Sequence, residues 1–167
     1  APDADVTVGP SDPTIGVRSP SSDPQRVARA VNAQVAGYQQ SGIVPVIKHF
    51  PGHGSVTTDT HVDYAVQAQS VEQLMKRDWV PFASASKAGV PAIMTAHIVV
   101  KDVDPNVPST LSPKVLTGQL RDKLGFKGLI VTDGMNMGAI VKKFDRGGAA
   151  AVSVSYTHLT LPTICSV

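Results

Sequence analysis

Short apolar runs alternate along this chain with longer segments in which apolar residues recur at every third or fourth position. The run Gly42-Ile43-Val44-Pro45-Val46-Ile47 is continuous and reads as a buried strand. Ahead of it, Asp23-Pro24 sets a capping carboxylate before a proline at the first helical position. Val27, Val31 and Val35 then repeat at i, i+4 and i+8, which predicts a helix to about Gln40, ended by Gly42. Ser70, with Gln73 three residues on, is a capping box opening a second helix. Its inner face is predicted from Leu74, Trp79, Phe82 and Ala85, with a kink at Pro81. Ala92–Ala96 reads as a second strand ending at His97, and Ser112-Pro113 opens a third helix carrying Val115, Leu116, Leu120 and Leu124. Gly128–Thr132 is the third strand, ending at Asp133.

Three strand–helix repeats predict a parallel sheet of the α/β class. Each strand is followed by ionisable residues: Lys48 and His49, then His97, then Asp133. Polar groups gathered at the C-terminal ends of parallel strands make the active site of a (β/α)8 barrel, and a doubly wound sheet uses the same ends. Topology alone does not choose between these two folds.

The densest chemistry lies in KHFPGHGSVTTDTH, from Lys48 to His61. Proline and glycine inside a helix cost about 3 and about 1 kcal/mol relative to alanine, so this segment is a loop on a rigid scaffold. Its histidines raise the question of zinc. His49 and His53, with Asp59, His61 and His97, supply the right atoms, but Pro51-Gly52 destroys the helical i, i+4 geometry, and a metal site is disfavoured. Asp59 and His61, two apart, are near enough for a carboxylate to orient an imidazole as a proton shuttle, although spacing alone fits a solvated loop pair better. His97 reads equally as a structural hydrogen-bonding residue, and Asp133 equally as a helix N-cap. Spacing alone supports an α/β enzyme of hydrolytic type.

Composition narrows the partners. At 167 residues, with 42% hydrophobic and 17% charged residues, the chain suits one globular domain. The net charge of +2 is small and its Lys and Arg are scattered, which leaves no footprint for nucleic acid or a membrane surface. Cys165 is the single cysteine, so no intrachain disulfide forms. The sequence shows no signal peptide or membrane-spanning run, and it opens on Ala1 without an initiator methionine.

KHFPGHG, the TDTH segment and GFKGLIVTDGMNMGAI together resemble family 3 glycoside hydrolases, in particular their bacterial β-N-acetylglucosaminidase branch. Upstream, APDADV is similar to the family's third-strand motif and IGVRS to its arginine motif; downstream, Ala96-His97 and Asp102-Val103-Asp104-Pro105 fit as well. The resemblance implies that Asp133 is the catalytic nucleophile. It also implies that His61 is the general acid/base with Asp59 as its partner. Arg18, Lys48 and His49 would hold the hydroxyls of N-acetylglucosamine, and His97 would line the same pocket. A histidine in place of the usual second carboxylate departs from most retaining glycosidases. The glycines and proline of the loop would let it swing, closing His61 over bound sugar. Gly134 stands where many relatives carry a second aspartate, which is not expected to abolish the nucleophile.

The implied fold is an incomplete (β/α)8 TIM barrel, since a whole one takes about 250 residues and its first strands are expected before Ala1. Residues 1–153 would be the C-terminal portion of the catalytic domain. Residues 154–167 are expected to be a non-native tail, because Val154–Thr163 reads as an in-frame translation of a transposon-end sequencing adapter. The implied partner is an N-acetylglucosamine-containing saccharide, muropeptide or chitooligosaccharide, with no cofactor and no metal. A phosphorylase using the same residues and a non-catalytic sugar-binding remnant are the alternatives. The compartment, bacterial cytoplasm or cell envelope, is open.

Overall fold

The computed structural model describes residues 1–9, 14–56, 65–137 and 140. The first helix, α1, is Pro24–Gln40, and the Asp23 carboxylate accepts from the amides of Gln25 and Arg26 as its sequence predicts. Val27, Val31 and Val35 are buried on its inner face. Strand β1 is Val46–Phe50, later than the apolar run suggests. Ile43 and Val44 are exposed, because the Ile43 amide donates to the Tyr38 carbonyl to close α1 and Pro45 brings no amide to a ladder. Lys48 and His49 therefore lie inside the strand rather than past it.

After β1 come β2, Ala65–Gln67, then helices α2, Val71–Lys76, and α3, Val80–Lys87. The capping box of Ser70 and Gln73 is present in full. Pro81 does not kink one helix. It sits in the first turn of α3, where its missing N–H costs nothing, and Arg77–Trp79 form a turn between two separate helices. Leu74, Trp79, Phe82 and Ala85 are all fully buried, as the periodicity predicts. Strands β3, Ala92–Thr95, and β4, Ile98–Val100, are followed by the Lys114–Lys123 helix, which is wound as a π-helix, and by β5, Leu129–Val131. The short β2 and β4 have no counterpart in the sequence reading, being three residues each.

The main sheet has the order β1-β3-β5, all parallel, and Asp3 extends it by a parallel bridge to Lys48 on the other side of β1. β2 and β4 pair in parallel as a second sheet. The register aligns Ile47 with Ile93 and Ile93 with Ile130, a row of buried isoleucines. That row joins Val31, Phe82, Leu116 and Leu120 in the principal core. Phe50, stacked edge-on to Phe82 at 5.3 Å, belongs to the same core.

One irregularity positions the site. The register slips between Ile47 and Phe50, which pair with Ile93 and Thr95, so β1 carries an extra residue there. A regular strand sends successive side chains to opposite faces, and positions three apart would face oppositely. The bulge lets Ile47 and Phe50 both enter the core while the two residues between them, Lys48 and His49, both face the site. The Lys48–His49 and Phe50–Pro51 peptide bonds are cis.

Candidate active site

At the C-terminal ends of the strands lies a cavity of about 190 Å³, lined by Thr14, Ile15, Arg18, Lys48, His49, His53 and Asp133. Four sequence-predicted residues thus converge from three segments: Arg18 from the Gly16–Arg18 turn, Lys48 and His49 from β1, and Asp133 from beyond β5. Asp59 and His61 lie outside the described residues.

His97 does not line this cavity. Its ring is fully buried, with Nδ1 at 2.9 Å from the Thr110 hydroxyl and Nε2 at 3.0 Å from the Gly134 carbonyl. His97 ties β3 to the segment next to Asp133, the structural role its sequence context also allows. A carbonyl only accepts, so Nε2 carries a proton. Asp133 itself accepts the Gly134 amide at 2.7 Å.

Two acids that the motif analysis treated only as part of APDADV organise the opposite wall. Asp5 is fully buried and collects hydrogen bonds from β1 and the loop after it. Its carboxylate accepts from the His49 amide at 3.2 Å, the His53 amide at 2.6 Å and His49 Nδ1 at 2.8 Å. Burial pushes the Asp5 carboxyl up, but the His49 imidazole and the hydrogen bonds from His49 and His53 outweigh it and hold the group below its ordinary value. Asp3, two positions away on the same face, stands 4.0 Å from Arg18 and Lys48 and 3.8 Å from His49. Burial and the nearby Asp5 charge raise its carboxyl despite those cations. The period-two spacing of two acids in an apolar run was the signal available in the sequence, since only paired charges survive burial there.

Asp3, Asp5 and His49 present three ligand atoms within 4.8 Å of one another. Asp5 is already committed to three donors, one of them His49 Nδ1, so the cluster reads as a hydrogen-bonded network rather than a cation cage. The histidines first considered for zinc are divided, with His97 outside the cavity that His49 and His53 line.

The described part of the glycine-rich loop is locked rather than swinging. Gly52 has φ +110°, and a side chain there would lie 3.0 Å from Asp78 Cβ. At Gly54 a Cβ would meet the Val6 carbonyl oxygen at 2.5 Å, because Val8 donates its amide to the Gly54 carbonyl across that contact. Gln67 holds the Gly52 carbonyl at 2.7 Å, and the buried Asp78 accepts from Arg77 at 3.1 Å. These glycines serve close backbone approach, and the rest of the loop, 57–64, lies outside the described residues.

Parallel strands delivering polar groups to one cavity at their C-terminal ends fit a (β/α)8 barrel segment, and the family match decides for it over a doubly wound sheet. Residues 1–156 match the Glycosyl hydrolase family 3 N terminal domain, and the chain belongs to that family. It is 40% identical over 154 residues to a beta-hexosaminidase of Xylella fastidiosa (strain M23), covering 92% of this chain and 44% of that protein. The chain thus spans less than half the length of that relative. It superposes with TM-score 0.92 and 38% identity on a glycoside hydrolase family 3 beta-N-acetylglucosaminidase from Paenibacillus sp. str. FPU-7, covering 96% of this chain and 31% of that one. A beta-glucoside phosphorylase, BglX bound to 2FGlc, superposes with TM-score 0.90 at 30% identity, covering 98% of this chain and 32% of the other.

Proposed function

We propose that this chain carries the catalytic wall of a retaining glycoside hydrolase that removes terminal β-linked N-acetylglucosamine from muropeptides or chitooligosaccharides. The observation that carries the reading is the convergence of Asp133 with Arg18, Lys48 and His49 on one cavity. At about 190 Å³ it is smaller than the roughly 300–1,000 Å³ of pockets for drug-sized ligands, which suits a single sugar ring. Arg18, Lys48 and His49 hold the hydroxyls of that ring. The Asp133 carboxylate attacks the anomeric carbon while the glycosidic C–O bond breaks, and protonated His61, oriented by Asp59, gives its proton to the leaving oxygen. In the second half, His61 takes a proton from water, whose oxygen displaces Asp133 from the anomeric carbon.

A second reading has its own support. Three cationic or potentially cationic groups, Arg18, Lys48 and His49, line the cavity, and a histidine acid/base does not repel an anion as a carboxylate would. Phosphate could then replace water in the second step, a reading strengthened by the similarity to a phosphorylase. Turnover of a chromogenic N-acetyl-β-glucosaminide, with products separated in the presence and absence of inorganic phosphate, tests both. Free N-acetylglucosamine under both conditions supports hydrolysis, and a sugar 1-phosphate that forms only with phosphate supports the second reading. Turnover that survives unchanged in Asp133→Ala would overturn both.

A further inference from the structure

We infer that Asp5 is a positioning residue that fixes the tautomer of His49, so that His49 offers the sugar a hydrogen-bond acceptor. The inference rests on the cavity being a sugar site, but its primary readout does not depend on turnover. His49 lines the cavity, and its Nδ1 lies 2.8 Å from Asp5 Oδ2. A carboxylate only accepts, so Nδ1 carries the ring proton and Nε2 is the nitrogen left to the cavity. In the neutral ring it bears a lone pair, and every sugar hydroxyl has a proton to place there.

The wall divides the labour by polarity. Arg18 and Lys48 are donors only, whereas His49 held by Asp5 is an acceptor. A ring hydroxyl both donates and accepts, so it can satisfy both kinds of partner at once. Asp5 is fixed in its turn: the His49 and His53 amides hold its carboxylate, and the Ser19 hydroxyl donates to its backbone carbonyl at 2.7 Å. The His53 amide donates to Oδ1 and His49 Nδ1 meets Oδ2, so the two oxygens have different tasks.

That division makes Asp5→Asn a pointed test. The His53 amide needs an oxygen at Oδ1, which turns the asparagine NH2 toward His49 Nδ1. The amide then donates to Nδ1, the ring proton moves to Nε2, and the face shown to the cavity changes from acceptor to donor. The same logic governs the loss of the correct histidine tautomer in the serine protease triad.

Imidazole 15N NMR of the parent protein near neutral pH should show the His49 proton on Nδ1 and none on Nε2. A proton on Nε2, as the other tautomer or as imidazolium, would overturn the inference. In Asp5→Asn the proton should appear on Nε2, and the KM for the N-acetyl-β-glucosaminide should rise about 10- to 100-fold, with kcat within about threefold. An unchanged KM with an inverted tautomer would also overturn it. If the variant does not fold, the parent spectrum still decides the tautomer. If the parent folds, shows the proton on Nδ1 and turns over no glycoside, the hydrolase reading fails while the positioning of His49 by Asp5 stands.

Discussion

The two walls of the cavity are built by different physics. On the β1 side, Asp3 and the fully buried Asp5 sit among Arg18, Lys48 and His49, and each carboxylate meets a cation or an imidazole N–H. On the β5 side, His97 bonds to a threonine hydroxyl and a backbone carbonyl, and Asp133 accepts its own neighbouring amide. Among the described residues Asp133 forms no salt bridge, whereas Asp5 is held by three donors. A carboxylate bound into an ion network spends its electrons on structure. One without such a network keeps them for an anomeric carbon. The comparison teaches that the acid most engaged in the fold and the acid proposed for chemistry are separate residues on separate segments.

Removing each acid should therefore have opposite signatures. The largest effect is expected for Asp133→Ala: kcat falls about 10⁴- to 10⁶-fold, while the melting temperature stays within a degree or two of the parent. A variant that lost stability but kept its rate would reverse the assignment of the two walls. Gly54→Ala tests the charged side through its backbone. The added Cβ would sit 2.5 Å from the Val6 carbonyl oxygen, so urea unfolding should show a loss of about 1–3 kcal/mol. An unaltered midpoint would mean that the loop is less tightly seated than the contact requires.

On the neutral side, His97→Ala leaves the Gly134 carbonyl and Thr110 without the ring, at a cost of about 1–3 kcal/mol for a buried unmade hydrogen bond. Because His97 acts on the segment holding Asp133 and not on the sugar, kcat is expected to fall about tenfold with KM nearly constant. A rise in KM alone would return His97 to the role of a sugar contact.

The smallest expected effect is a difference in pH dependence. The Asp5 carboxyl is held below its ordinary value of 3.8, so its contribution to stability is present above that value and is lost as pH falls through its folded pKa. Asp78, behind the loop, is shifted the other way. Burial raises it from 3.8, more than the Arg77 guanidinium beside it lowers it. Its contribution is largest below 3.8 and is lost as pH rises through its folded pKa. Melting curves from pH 2 upward should show Asp78→Asn gaining on the parent just above pH 3.8, and Asp5→Asn closing its deficit only in strong acid. The same slope for both variants would break the contrast.

Local chemistry was legible wherever neighbours in sequence decide the structure. The Asp23 cap, the Ser70–Gln73 box and the valine stripe of α1 all formed as read, because a cap and an apolar face depend on residues within one or two turns. Legibility failed where the deciding partner was distant. Ile43 and Val44 are as apolar as any strand residue, but nothing packs over them, and they are exposed. The loop glycines looked like hinges until Val6 and Asp78 were found against them. Asp5 lies 44 residues from His49, and no local pattern announces that pair.

By itself the sequence determined the order of parallel strands and helices, the family, and the ionisable residues at the strand ends. Those follow from periodicity and from motifs that are contiguous in the chain. Only the tertiary structure decided which of those residues share a cavity. It put Lys48 and His49 on one face through a bulge in β1, withdrew His97 into the wall, and made Asp5 the anchor of the site. The physical reason is that facing depends on register, and register is set by pairing with segments about 37 to 46 residues away in the chain, beyond the reach of any local pattern.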